Sequence, residues 1–196
     1  MADQPYPRPG RTEIQAAAGK TVADVIAPNL RVLFVGINPG LYTAAIGHHF
    51  GRPGNRFWPV LYAAGITRRL FSPYEERELL ALGWGITNIV ARATATAHEL
   101  TGEELREGAQ KLIEKLAAYT PAYVAVLGVS AYRSAFQRPK AALGLQQEKL
   151  SAAKLWVLPN PSGLNAHYQK DDLAQVFRQL RQEVEHNAES AHPDQF

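Results

Sequence analysis

Cysteine is absent from the 196 residues. That excludes disulfides, thiolate zinc sites and cysteine-ligated iron–sulfur clusters. No apolar run approaches the roughly 20 residues of a membrane helix. The N-terminus, MADQPYPRPGRTE, lacks the apolar core of an export signal, so an intracellular protein is expected. There is no G-x-S-x-G elbow, no P-loop GK[ST] and no G-x-G-x-x-G behind a strand. The common serine-hydrolase and nucleotide-cofactor chemistries of α/β proteins lose ground with them. No internal repeat or convincing linker interrupts the chain.

What is present is a globular composition, 46% hydrophobic and 20% charged, of a length suited to one domain. The net charge of +3 and pI near 9.2 permit a nucleic-acid partner without requiring one.

The stretch Arg31–Leu41, RVLFVGINPGL, organises the rest. Its apolar, β-branched start reads as a strand buried on both faces, and Gly36-Ile37-Asn38-Pro39-Gly40 forces a turn at the strand end. In open α/β sheets ligands sit beyond the carboxyl ends of strands, which places Asn38 where chemistry is done. The design recurs near the far end, where Lys154–Leu158 breaks into Pro159-Asn160-Pro161-Ser162-Gly163-Leu164-Asn165. Either loop alone is an ordinary turn; the pair at matching positions points to a shared site.

In chain order, residues 1–20 read as a mobile arm, and Thr21 through Ile26 as a short helix capped by Thr21. The loop from Gly47 to Arg56 is dense in glycine, histidine and arginine. Its adjacent histidines lack acidic or cysteine partners and read as a polar loop, not a metal site. Phe50 stands out as an aromatic between loop residues, either a core plug or a stacking platform for a flat ligand. Asn55 is placed to cap a helix through Phe57, Trp58, Leu61 and Tyr62, and Ser72-Pro73 to open another to Leu82. Trp84–Val90, Pro121–Gly128 and Lys154–Leu158 read as further strands. Helices are expected from Thr101 to Tyr119, over Ser130–Phe136, and from a cap at Asp171 or Asp172 through Val184. A polar connection at 137–153 has room for an edge hairpin. The alternation predicts a three-layer α/β/α sandwich with a central, mostly parallel sheet, one domain over 21–187 and a disordered tail at 188–196.

Chemically, an amide is no useful general base, but it can orient a water by donating and accepting at once. Such a site suits a reaction whose leaving group departs easily, with loop N–H groups stabilising the departing anion.

Gly36-Ile37-Asn38-Pro39-Gly40-Leu41, then Asn55-Arg56-Phe57-Trp58, then Asn160-Pro161-Ser162-Gly163-Leu164, in this order, resemble the mismatch-specific uracil-DNA and thymine-DNA glycosylase family. The matching features run from about Val25 to the last helix. The resemblance implies the three-layer fold, a monomer acting on double-stranded DNA with no metal or organic cofactor, and a cytoplasmic or nucleoid location. It implies eversion of uracil, or a related damaged pyrimidine, preferably opposite guanine, and hydrolysis of the N-glycosidic bond to leave an abasic site. By the same resemblance Asn38 positions the water and Phe50 stacks on the base. Ile37 and Phe50 touch the pyrimidine edge through their backbones, Thr43 senses the 5-substituent and Asn160 donates over the anionic base. Leu164 is the wedge, and Gly163 and Asn165 read the widowed guanine. Unstacking costs a few kcal/mol, which an apolar wedge offsets in part.

One departure stands out. The family tends to carry a carboxylate before the arginine of this region, whereas this chain reads Val90-Ala91-Arg92. Ala91 thus marks an acid that is missing, and Ala91→Asp is expected to raise excision. Asn165-Ala166 also differs from the family's usual ending. A non-catalytic mismatch- or abasic-site-binding protein on the same scaffold is the second reading, and a small-molecule α/β hydrolase the third.

Overall fold

A computed structural model describes residues 6–163 and 168–190. The helices are α1 (Arg11–Gln15), α2 (Leu41–Ile46), α3 (Phe57–Ala63), α4 (Gly102–Tyr119), α5 (Val129–Phe136) and α6 (Lys170–Ser190). The strands are β1 (Val32–Gly36), β2 (Trp84–Asn88), β3 (Tyr123–Leu127), β4 (Gly144–Leu150) and β5 (Ala153–Leu158). They form one five-stranded sheet in the order β2-β1-β3-β5-β4. All pairings are parallel except that of β4, which returns antiparallel along β5 as the edge hairpin.

The unbroken apolar runs read as strands because both faces are covered. Along β1, Val32 and Phe34 point into one core with Phe57 and Leu61 of α3 and Leu173 and Phe177 of α6. Leu33 and Val35 point into the other, with Leu112 and Leu116 of α4 and Tyr132 of α5. β3 and β5 divide their side chains the same way, so the sheet is the middle of three layers. A capping box opens α4: Thr101 Oγ1 accepts from Glu104 N–H at 3.1 Å and Glu104 Oε2 accepts from Thr101 N–H at 2.9 Å.

Four local expectations are corrected. Thr21–Ile26 is not helical: Val25 pairs antiparallel with Ile86, both backbone bonds closing at 2.8–2.9 Å. The open edge of β2 offers that segment ladder bonds, and these outweigh a helix of six residues, which is marginal alone. Pro73–Leu82 winds as a 3₁₀ helix. At α6 the carboxylate of Asp172 lies inside the first turn and accepts from Gln169 N–H at 2.9 Å, so neither Asp171 nor Asp172 is the cap residue itself. The last helix also runs past Asn187 to Ser190.

The segment read as a mobile arm is ordered from α1 onward. Ala17 is fully buried with Ala44 and Ala93, Gly19 N–H donates to Ala93 O at 2.9 Å, and Ala93 N–H donates to Lys20 O at 2.8 Å. The small side chain of Ala17 lets the backbone come close enough for these bonds.

Candidate active site

β1, β2, β3 and β5 end on one side, where the strand order reverses between β1 and β3. A cleft of about 330 Å³ opens there. It is lined by residues from Gly36 to Gly40, by Thr43, Phe50 and Asn88, and by the 94–98 loop, Asn160 and Ser162. The two Asn-Pro loops therefore meet: Ile37 Cδ1 and Asn160 Cβ each come within 4 Å of where a side chain at Gly128 would begin.

Asn38 is held by its nitrogen. Nδ2 donates to Thr94 Oγ1 at 2.7 Å, to Arg92 O at 3.1 Å and, more weakly, to Pro39 O at 3.2 Å. The Thr94 hydroxyl gives its only proton to Thr96 O at 2.8 Å, so toward Asn38 it can only accept. The amide orientation is thereby set: Nδ2 is the tethered donor end, and Oδ1 is the acceptor end of a residue that lines the cleft. Arg92 is in turn gripped by Glu104, through Nε at 2.5 Å and Nη2 at 3.0 Å. That bidentate pairing and the Thr101 N–H hold the Glu104 carboxyl down at about 2.

Asn88 is set by a second chain. Buried His49 places Nε2 3.0 Å from Ala23 O, which requires a proton on Nε2 and leaves Nδ1 as an acceptor for Asn88 Nδ2 at 3.4 Å. Burial pushes the His49 imidazole below its ordinary value near 6.5, against the opposing pull of Glu76, the Ala23 carbonyl and Asp24. Glu76 accepts from His49 N–H at 2.7 Å and lies 2.9 Å from His48 Nδ1. Asn88 Oδ1 then lies over Gly36, 2.4 Å from where a Cβ would stand.

Phe50 adopts a left-handed backbone, φ +53°, uncommon for a bulky residue, and its ring stacks on Phe57 with centroids 4.0 Å apart. The ring is packed on the core through Phe57, as a plug would be, and the residue also lines the cleft.

Buried Thr43 lines the cleft from α2. Ile37 also lines it, and its carbonyl accepts from Val90 N–H at 2.9 Å. Asn160 Oδ1 accepts from Ser162 N–H at 2.9 Å, which makes its nitrogen the donor end. Arg56 ties this loop down: its N–H donates to Pro161 O at 3.0 Å, Nη2 to Ser162 O at 2.5 Å, and Nη1 to Tyr168 O. Asn55 Oδ1 accepts from Phe57 N–H at 2.9 Å at the start of α3. Gly163 lies outside the cleft and packs so closely that a Cβ there would meet Gly54 O at 2.5 Å. Leu164 and Asn165 lie outside the described residues.

Ala91 is exposed and does not line the cleft. It faces a neighbouring depression with Arg92, Glu104 and Lys111 that touches the cleft only at Asn88. Among the described residues no Asp or Glu lines the cleft, and no group of three or more His, Cys, Asp or Glu is placed to hold a metal ion. Sequence reasoning missed Thr94, the Arg92 carbonyl, Asn88 and His49. Only Asn88 carried a signal, as a polar residue closing a buried strand.

Against known proteins, the family model described as "Uracil DNA glycosylase superfamily" matches residues 23–184. A candidate uracil DNA glycosylase from Methanosarcina acetivorans, solved by solution NMR, superposes with a TM-score of 0.56 at 19% identity, over 83% of this chain and 98% of that one. At that identity the superposition speaks for the fold.

Proposed function

The chain belongs to the uracil DNA glycosylase superfamily, and on that footing we propose that it removes uracil, or a related pyrimidine mispaired with guanine, from double-stranded DNA. The observation that supports this best is the orientation of Asn38. An amide whose nitrogen is tied to Thr94 and Arg92 keeps Oδ1 as an acceptor at the mouth of β1. A water donating to that oxygen is aimed at the sugar C1′ of an everted nucleotide. The C1′–N1 bond breaks with its electron pair going to the base, water oxygen bonds to C1′, and the water's surplus proton leaves to solvent. Among the described residues no carboxylate lines the cleft to pull that proton early. The rate must therefore come from leaving-group stability and positioning, which favours uracil, whose anion is spread over two carbonyls.

The remaining groups fit roles in base recognition. The Phe50 ring offers a stacking face, Asn88 Oδ1 an acceptor for an imide N–H, and the Asn160 nitrogen a donor for a carbonyl gaining charge. In this reading Thr43, which lines the cleft, senses the 5-substituent, and Gly163, Leu164 and Asn165 read the opposite strand. The protein acts as a monomer inside the cell without a cofactor.

The acid-free cleft also favours a second reading, a DNA-binding protein of weak or no activity. A carboxylate at position 91 would act across Asn88 on the developing sugar cation through the field alone. A modest gain in rate is therefore expected from Ala91→Asp, and equal rates would remove that role. Single-turnover assays on G·U, A·U, G·T and single-stranded substrates test the main reading. Excision of G·U that Asn38→Ala abolishes supports it; tight binding with no abasic product supports the second; neither binding nor cleavage sinks both.

A further inference from the structure

Two contacts of the 21–26 segment converge on Asn88. Ala23 O accepts from His49 Nε2 at 3.0 Å, and His49 in turn meets Asn88 Nδ2 through Nδ1. The next residue, Asp24, reaches β2 itself. Its Oδ1 accepts from Thr87 Oγ1 at 2.6 Å, and Thr87 directly precedes Asn88. Lys115 of α4 closes the cluster: its Nζ pairs with Asp24 Oδ2 and donates to Thr87 Oγ1 at 2.7 Å. The Thr87 hydroxyl thus gives its proton to Asp24 and accepts from Lys115. Val25 exchanges both backbone bonds with Ile86. Residues 23, 24 and 25 are therefore fixed to His49, Thr87 and Ile86 in turn, and Asp24 is the charged member of the three. The Asp24 and Lys115 side chains are 28% and 27% exposed, so water screens part of their attraction. What the pair supplies is geometry.

We propose that Asp24, held by Lys115, is a positioning residue for the base-reading amide of Asn88. Its carboxylate fixes where Ala23 O stands. That carbonyl keeps the His49 proton on Nε2, and the bare Nδ1 keeps the Asn88 nitrogen toward the histidine and its Oδ1 over Gly36. Without the pair the carbonyl drifts, the imidazole proton is free to move to Nδ1, and the amide turns its other end. A lysine that does not line the cleft thereby bears on which base edge the cleft accepts. The assignment rests on the proposed base-excision reading and adds the residues that hold its specificity. The titratable and charged groups facing His49 are Glu76 from the 3₁₀ helix, His48 from its own loop and Asp24, with Lys115 of α4 beyond Asp24. The charge of Asp24 favours a proton on the ring, and Lys115 beside it works against that pull.

The test is nitrogen-15 NMR of the histidine rings in the full chain, with His49→Gln to identify His49, beside single-turnover excision of uracil at saturating enzyme. In the wild type the neutral His49 ring should carry its proton on Nε2. Asp24→Asn keeps an acceptor for Thr87 and removes the charge, so it should lower the pH at which His49 titrates. Lys115→Met leaves Asp24 unopposed and should raise it. Both should populate the Nδ1–H form and slow excision by roughly 3- to 10-fold, with duplex affinity unchanged. Lys115→Arg should keep the wild-type tautomer and rate. Loss of a merely structural contact has no reason to move the two titrations in opposite directions. An unmoved tautomer and titration in both variants overturn the proposal, as does movement of both titrations the same way. If Asp24→Asn does not fold, Lys115→Met gives the same reading with the carboxylate intact. A changed tautomer with unchanged excision would cut the link from His49 to Asn88 and overturn the proposal as well. Wild-type protein that excises nothing, while the ring responds as expected, would count against the glycosylase reading and leave the positioning chain standing.

Discussion

Asn38 Nδ2 lies 2.7 Å from Thr94 Oγ1, and that hydroxyl can only accept because its proton is spent on Thr96 O. The amide of Asn38 is therefore held in one orientation by a residue 56 positions away in sequence.

Thr94→Val keeps the shape of the buried residue and removes the acceptor. The amide then keeps only its longer bonds to Arg92 O at 3.1 Å and Pro39 O at 3.2 Å, and Oδ1 is misplaced part of the time. Single-turnover excision should fall on the order of 10- to 100-fold while duplex affinity holds. The stability loss should be about 1 kcal/mol. An unchanged rate would show that Thr94 does not set the amide.

Gly36→Ala tests Asn88. The added methyl would stand 2.4 Å from Asn88 Oδ1 and 3.5 Å from the Phe50 ring. Asn88 must swing away, so discrimination of uracil from cytosine should shrink with the thermal unfolding temperature little changed. Discrimination equal to the wild type would remove Asn88 as the reader of the imide.

Arg56→Lys cannot bridge the Ser162 and Tyr168 carbonyls together, because one ammonium replaces two nitrogens of a fork. Excision should drop with a stability loss of about 2 kcal/mol, and the salt slope of DNA binding should stay. A reduced slope would mean that Arg56 meets phosphate instead of holding the loop.

The pH dependence follows from His49. Its native value lies below 6.5, so at mildly acidic pH the unfolded chain binds a proton that the native chain refuses. Its contribution to stability is whole above about 6.5 and is lost as pH falls from there through the native value. Protonation also makes both ring nitrogens donors, which turns the Asn88 amide and should depress excision over the same range. Glu104 adds a separate loss lower down, between its ordinary 4.5 and about 2. Urea unfolding from pH 8 to 5 on wild type and His49→Gln isolates the histidine limb; superimposable curves would refute it.

The buried strands, their order of appearance and the position of Asn38 were legible because an apolar run ending in Gly, Asn and Pro is a local signal. The parallel sheet followed from alternation alone. What surrounds Asn38 was not legible. Thr94 and the Arg92 carbonyl reach it only through tertiary packing, and no spacing in the chain announces that. His49 looked like half of a polar pair. Its burial comes from the tight loop that turns at Phe50, which no periodicity encodes. Ala91 drew notice for what it lacks, yet its side chain faces the next depression and not the cleft.

The backbone pairing of Gly19 and Lys20 with Ala93 has a practical outcome for anyone trimming the protein. Ala93 sits between Arg92 and Thr94, which accept the two shorter bonds from the Asn38 amide nitrogen. A shortened version starting at residue 21 would discard that strut while sparing every described residue that lines the cleft. Such a fragment should express, fold and grip DNA, and still turn over poorly.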